Sequence, residues 1–131
     1  MLLVINSASH TEAIASGTVT PPNQPRVFSI DGINELSIVN VGHQVLIKGT
    51  FHNSANYSQP FIDLYLVESE NGTVTAIGIV GGKIDVGQTL KFHVSWLPEQ
   101  AGKYTIRQFD LSSLDDPSIL ATPSQTSIQV I

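Results

Sequence analysis

The residues that could carry catalysis or bind a metal are scattered along this chain. Its four histidines, His10, His43, His52 and His93, never show the i, i+2 or i, i+4 spacing that places two ligands on one face of a strand or helix. His52 and His93 would approach each other only if their strands were neighbours. The serines lack the G-x-S-x-G pattern of a nucleophile elbow, and the absence of cysteine excludes thiol chemistry. We therefore expect no enzyme activity, no catalytic residue and no cofactor.

Three carboxylates lie close together in the sequence near the C-terminal end: Asp110, Asp115 and Asp116. Oxygen-rich loops between strands can hold Ca²⁺, which takes about six to eight oxygen ligands. This segment lacks the alternating Asp spacing and the glycine of a dedicated calcium loop. The three residues are therefore weak calcium candidates, and the alternative is a solvated acidic loop in which Asp forms turns.

Two kinds of surface site follow from local patterns. Asn56 and Asn71 each begin an N-x-[ST] acceptor for N-glycosylation, and both fall in predicted turns. Tyr57, Tyr65 and Phe61 could form a flat binding patch for a sugar or a protein, because aromatic faces offer large contact area at low entropy cost. Isolated exposed tyrosines are the alternative.

Composition favours a single all-β domain. The 131 residues include 12 Val, 14 Ile and 10 Thr, whose branched Cβ is accommodated best on strands. The 6 Lys+Arg against 11 Asp+Glu give a net charge of −5 without a basic run, so a nucleic-acid partner is not expected. No apolar run is long enough to predict a membrane span.

Short β-rich segments separated by turn residues predict one antiparallel β-sandwich of about seven strands. Eight candidate segments are present, the second of them short: Val27–Ile30, Leu36–Asn40, Gln44–Asn53, Phe61–Ser69, Thr73–Val80, Thr89–Trp96, Lys103–Asp110 and Gln125–Ile131. Asn71-Gly72 predicts a hairpin, and Gly81-Gly82 predicts the start of a short excursion between two strands.

Alternation within the segments predicts which side chains face the core. In Thr89–Trp96 the inward set is Leu90, Phe92, Val94 and Trp96, and in Gln44–Asn53 it is Val45, Ile47, Gly49 and Phe51. In Phe61–Ser69 the pattern predicts Asp63 and Tyr65 outward, with the inward positions being Ile62, Leu64 and Leu66.

Residues 1–25 are predicted to precede the sandwich, which then covers residues 26–131. The apolar run Met1–Ile5 and the small-x-small spacing in Ala13–Ser16 suggest a signal peptide whose beginning is missing. An ordinary N-terminal strand or a disordered leader is the alternative. Three prolines between positions 21 and 25 remove amide donors and indicate a semi-rigid linker.

The segment from Trp96 to Tyr104 has the form W-x-P-x-x-x-G-x-Y, with Pro98 ending a strand and Gly102 at the corner. This spacing fits a tyrosine corner, in which the hydroxyl returns to the corner backbone. Together with the sequences at 109–117 and 120–123, it resembles the Ig-like or fibronectin-III-like modules of archaeal and bacterial secreted and cell-surface proteins, including adhesion-related ones. The likeness covers residues 26–131 and departs from antibody domains in lacking both cysteines.

The resemblance implies a non-catalytic structural or protein-interaction module, extracellular or on the cell surface, that binds a protein partner or associates with itself. Two alternatives stay open. A surface-filament subunit would complete a neighbour's sheet with its N-terminal segment, and a carbohydrate-binding module would hold a glycan on exposed aromatic residues.

Overall fold

The computed structural model describes residues 3–5, by their backbone alone, and residues 24–131. Regular structure in these parts of the chain consists of strands: β1 (Leu3–Ile5), β2 (Arg26–Ser29), β3 (Ile38–Val39), β4 (Val45–His52), β5 (Gln59–Ser69), β6 (Val74–Ile84), β7 (Thr89–Trp96), β8 (Gly102–Leu111) and β9 (Ser124–Val130). The predicted all-β fold class is confirmed.

The strands form the two sheets of a sandwich. The first sheet has the order β1-β7-β4-β2 and the second has the order β3-β9-β8-β5-β6. Neighbouring strands run antiparallel, except that the short β3 runs parallel to β9. Among the described residues there is no helix that is long and apolar enough to cross a membrane.

Strand β1 lies at one edge of the first sheet. Ile5 is the register partner of His93 on β7, and His93 is the partner of Lys48 on β4. Lys48 in turn lies opposite Arg26, the first residue of β2 at the other edge. Apart from Gln24 and Pro25, the rest of the predicted leader and linker lies outside the described residues, so the boundary at residue 26 stays a prediction.

The core lies between the two sheets, and its composition confirms most of the predicted alternation. The inward residues predicted on β4 and β7 are buried. So are Tyr104 and Ile106 on β8 and Ile128 and Val130 on β9. Aromatic rings pack along the centre, with Phe51, Phe61 and Phe92 in successive contact at centroid distances of 5.4 and 6.1 Å. Burial of these side chains supplies the main favourable free energy of the fold.

The predicted facing of β5 is wrong. Asp63 and Tyr65 are fully buried between the sheets, and Phe61 and Val67 share their face. The aliphatic residues expected there lie half-buried on the outer face: Ile62, Leu64 and Leu66. Both faces of β5 carry apolar residues, so the charge of Asp63 is what favours the wrong face in the sequence pattern. That pattern does not show that Asp63 has a buried polar neighbour, Asp110.

The predicted excursion at Gly81-Gly82 is also wrong, because both glycines continue β6 opposite Phe61 and Ile62. A Cβ at Gly81 would lie 2.9 Å from the Ile62 Cδ1, so the missing side chain makes room for this neighbour. The predicted hairpin at Asn71-Gly72 is present, with Gly72 at φ 85° and its amide donating to the Ser69 carbonyl at 2.9 Å.

The corner after β7 has the geometry that its spacing suggested. The Tyr104 hydroxyl donates to the Gln100 carbonyl at 2.8 Å, and its ring meets Trp96 edge-on at 5.4 Å between centroids. Gly102 has φ 146°, where a side chain would be strained, and Pro98 is buried. The corner therefore joins the first sheet to the second through a buried aromatic pair.

Replacing Trp96 by alanine should lower the free energy of unfolding by roughly 3–5 kcal/mol, because it leaves a cavity beside Tyr104. Tyr104→Phe, which removes only the hydrogen bond to Gln100, should cost about 1 kcal/mol. Urea denaturation at constant pH measures both changes. A Trp96→Ala midpoint equal to that of the unaltered chain would contradict the role given to this pair.

Candidate functional site

A cavity of about 710 Å³ opens on the outer face of the first sheet. Alternation along β2, β4 and β7 directs one set of side chains to this face, while the opposite set fills the core. The lining combines apolar, basic and acidic groups, and includes Arg26, Phe28, Asp31, Leu46, Lys48, Thr50, Lys91 and His93. Its volume is within the usual range of small-ligand and peptide sites.

Lys48, one of the residues that line this cavity, is held in place by two contacts. Its Nζ donates to the Gly32 carbonyl at 2.8 Å and lies 4.3 Å from the centre of the Phe28 ring. The turn containing Gly32 is held by hydrogen bonds from the Ser29 hydroxyl and the Ile33 amide to the Asp31 carboxylate. The ammonium group is therefore fixed by a backbone oxygen and an aromatic face. The pKa of the Asp31 carboxyl is lowered by the hydrogen bonds from Ser29 and Ile33, and to a smaller extent by this nearby ammonium group.

The lining of the cavity carries more positive than negative charge, with Asp31 as its acidic residue. Arg26, Lys48 and Lys91 line it, which is three of the six Lys and Arg residues in a chain of net charge −5. Arg26 forms a loose ion pair with Glu35 at 3.5 Å, in which both side chains are largely exposed. Partial burial and the neighbouring Lys48 ammonium lower the pKa of His93, so this imidazole is neutral at pH 7.

A second polar site lies inside the sandwich, between β5 and β8. Asp63 is the register partner of Asp110, and Tyr65 is the register partner of Gln108, so four polar side chains point inward from two adjacent rows. We call these four residues the core cluster. Across from them, β4 presents Gly49, where an added Cβ would lie 2.0 Å from the Tyr65 hydroxyl and 3.0 Å from Gln108 Oε1.

Hydrogen bonds within the core cluster are incomplete. Gln108 Nε2 donates to Asp63 Oδ1 at 3.1 Å and to the Thr50 carbonyl at 3.4 Å. Each of the four residues keeps one buried atom without a partner: Asp63 Oδ2, Tyr65 Oη, Gln108 Oε1 and Asp110 Oδ1. Buried polar atoms normally have partners, because an unsatisfied one costs about 1–3 kcal/mol.

Burial raises the pKa of Asp63 well above its usual range, and the neighbouring Asp110 carboxyl raises it further. Burial also raises the pKa of Asp110. The pKa of Tyr65 is raised by burial and then by the negative charge of Asp63, so its hydroxyl keeps its proton. The two carboxyls therefore hold a proton between them at a pH where an exposed aspartate has lost it.

The structure separates the three weak calcium candidates. Asp110 is buried in β8, whereas Asp115 and Asp116 are exposed in the turn that follows. That turn is organised by serine hydroxyls, with Ser112 Oγ donating to the Asp116 carbonyl at 3.1 Å. The expectation that these three carboxylates share one loop is therefore wrong, since Asp110 belongs to strand β8, as the predicted segment Lys103–Asp110 itself implies, and only Asp115 and Asp116 lie in the turn.

The predicted aromatic patch is also wrong. Phe61 and Tyr65 belong to the core, and only Tyr57 is exposed. The two glycosylation candidates, Asn56 and Asn71, are exposed in turns, where their modification stays a prediction.

The histidine positions follow from the strand register. His52 and His93 do lie on the neighbouring strands β4 and β7, but His52 pairs with Thr89 and His93 with Lys48. Thr89, opposite His52, is four residues from His93 along β7, so the two histidines are about 13 Å apart in the strand direction. His52 Nδ1 lies 2.9 Å from the Thr89 hydroxyl, so the two histidines belong to different environments.

Several polar residues that shape the interior have no sequence signal. Gln108 and Asn53 are both buried, and the Asn53 amide donates to the carbonyls of Tyr57, Ile84 and Asp85 at 2.9 to 3.1 Å. An asparagine after a strand normally indicates an exposed turn. The one feature of the sequence that bears on these residues is a spacing of two. Asp63 and Tyr65 are two positions apart, as are Gln108 and Asp110, so each pair lies on one face of its strand.

No protein-family model matches this chain, and no curated protein matches it in sequence. Among solved structures, the CARDB domain of a Pyrococcus furiosus protein, determined in complex with di-metal ions, has a TM-score of 0.58 at 12% identity, with 92% of this chain and 100% of that one covered. The C-terminal domain of Wzt has a TM-score of 0.57 at 15% identity, with 82% and 70% covered. These likenesses show the fold alone, a β-sandwich module.

Asp63→Asn should make the free energy of unfolding less dependent on pH. In the unaltered chain the raised pKa values mean that the folded state binds a proton that the unfolded state loses above pH about 3.8. The contribution of this pair to stability is therefore fully present below pH about 3.8 and is lost as the pH rises through the folded pKa. Urea denaturation between pH 4 and 8, with a chelator present, measures this slope.

The asparagine variant should show a flatter profile and a gain of roughly 1–3 kcal/mol at neutral pH, because one of the two buried carboxyls is removed and the new amide can donate to Asp110. Asp115→Asn, which changes an exposed carboxyl, is the control and should keep the original slope. Equal slopes in all three proteins would contradict the shared proton.

Proposed function

We propose that this chain is a non-catalytic interaction module of a secreted or cell-surface protein, and that the cavity on the first sheet binds an acidic segment of a protein partner. The observation that supports the proposal is the gathering of half the chain's lysines and arginines around this one cavity, against a single aspartate, Asp31, in its lining. Location outside the cell is supported by the sequence resemblance to secreted modules and by the interpretation of residues 1–25 as a leader.

The chemistry of the cavity favours an extended acidic peptide. Lys48 and Lys91 provide ammonium groups for carboxylates, while Phe28 and Leu46 offer apolar surface for the stems of the same side chains. Because the protein as a whole is acidic, a partner carrying negative charge is attracted to this face and repelled elsewhere. The neutral His93 can accept or donate a hydrogen bond at the rim.

Two other functions have less support. Nucleophilic or metal catalysis would need a cluster of reactive groups, and residues 24–131 hold no group of three or more His, Cys, Asp or Glu side chains that could bind a metal. A carbohydrate module would need the predicted patch of exposed aromatic rings, of which Tyr57 alone is at the surface.

Binding of a fluorescent oligoglutamate peptide should be weakened at least tenfold in the double variant Lys48→Gln/Lys91→Gln, since two charge contacts are lost. The control is Lys83→Gln/Lys103→Gln, which removes the same net charge from exposed positions outside the cavity and should bind like the unaltered chain. Fluorescence anisotropy at two salt concentrations measures the affinities. Equal weakening in both variants, or no binding at all, would contradict the proposal.

A second candidate, strand complementation between copies, is favoured by the pairing of Leu3–Ile5 with β7. This short edge strand could be supplied by the chain's own N-terminus or by that of a neighbour. A leader that is cleaved away cannot supply either strand, so the two uses of residues 1–25 exclude each other.

Light scattering over a range of concentrations tests this second candidate. Strand exchange predicts oligomers that grow with concentration and disappear when the chain begins at Arg26. A full chain that stays monomeric throughout, but loses stability on the same truncation, would show that β1 pairs within its own molecule.

A further inference from the structure

We propose that the core cluster of Asp63, Tyr65, Gln108 and Asp110 is a binding site for one hard cation, with Ca²⁺ as the best fit. This site lies between the sheets and is separate from the surface cavity. The inference does not depend on the proposed function.

The unpartnered atoms provide the ligands. Each of the four residues contributes one oxygen without a hydrogen-bond partner, and all four side chains are more than nine-tenths buried. Two of these oxygens are carboxylate, one is amide and one is phenolic. Sets made only of oxygen select hard cations such as Ca²⁺, Mg²⁺ or Na⁺ over the softer transition metals.

The charge of the site requires a cation or a proton. Asp63 and Asp110 face each other across β5 and β8, and the described ion pairs of these strands involve other residues, Arg107 with Glu68. The positions paired with the cluster on the flanking strands are Gly78 and Val80 on β6 and Ser124 on β9, none of which carries charge. Two facing carboxylates thus favour a divalent ion over a monovalent one.

The opposite sheet leaves room for the Tyr65 and Gln108 oxygens. Gly49 has no side chain at the point where the Tyr65 hydroxyl and the Gln108 amide oxygen converge, and the Thr50 carbonyl on the same strand holds the Gln108 amide group. The Tyr65 ring is fixed edge-on against Phe92 at 6.4 Å. The orientation of both neutral ligands is therefore set before any ion arrives.

Asp110 provides access and helps to discriminate between ions. It is 8% exposed, whereas Asp63 and Tyr65 are 0% exposed, so the cluster meets solvent on the Asp110 side. Ca²⁺ tolerates irregular coordination by a few protein oxygens completed by water, whereas Mg²⁺ demands near-octahedral geometry and gives up its water reluctantly. A mostly buried, irregular site therefore favours Ca²⁺.

The test uses the full chain, stripped with a chelator and then dialysed free of it, at neutral pH. Thermal unfolding and titration calorimetry are followed with CaCl₂, MgCl₂ and NaCl, against choline chloride at the same ionic strength. We expect CaCl₂ at low millimolar concentration to raise the unfolding midpoint by several degrees and to bind with one-to-one stoichiometry, with smaller effects of the other salts.

Three variants locate the effect. Asp63→Asn should abolish the Ca²⁺ response, and Tyr65→Phe, which removes one ligand oxygen and keeps the ring, should weaken Ca²⁺ binding about tenfold. Asp115→Asn should respond like the unaltered chain. The proposal is overturned if Ca²⁺ acts no differently from choline, which would mean that the carboxyls hold only a proton, or if the response survives in Tyr65→Phe and disappears in Asp115→Asn.

Discussion

Two carboxyl groups buried side by side between the sheets constrain much of the structure around them. A shift of one residue in the pairing of β5 with β8 would carry Asp63 to the outer face and leave Asp110 alone in the core. The energetic cost of a lone buried charge makes such a shift unfavourable. The pair therefore helps to specify which of two apolar faces of β5 turns inward, a choice that hydrophobicity alone leaves undecided.

Gly49 links the interior to the surface. On its inner side it accommodates the Tyr65 hydroxyl, and on its outer side it forms part of the floor of the basic cavity. The core cluster and the cavity are thus separated by the thickness of one strand, β4. Lys48 and Thr50 flank this glycine, and both side chains line the cavity while the Thr50 carbonyl accepts from Gln108. A change in the position of Gln108 would reach the cavity through that backbone.

The sequence predicts the architecture better than the polar interior. The inward sets on β4 and β7 follow from simple alternation, and the corner follows from the spacing of Trp96 and Tyr104, because each depends on local geometry. The facing of β5 depends on contact between Asp63 and Asp110, which are 47 positions apart in the sequence. The cavity likewise requires β2, β4 and β7 to lie side by side, and strand order is a property of the whole fold.

The parallel pairing of β3 with β9 has a mechanical consequence. The amide of Val41 donates to the Ile131 carbonyl at 2.9 Å, and the amide of Ile131 donates to the Val39 carbonyl at 2.8 Å. In a parallel pair, tension applied to the chain before Ile38 and after Val130 pulls the two strands lengthwise past each other. These hydrogen bonds are then loaded together in shear, instead of opening one after another, and so the C-terminal end resists stretching along this direction.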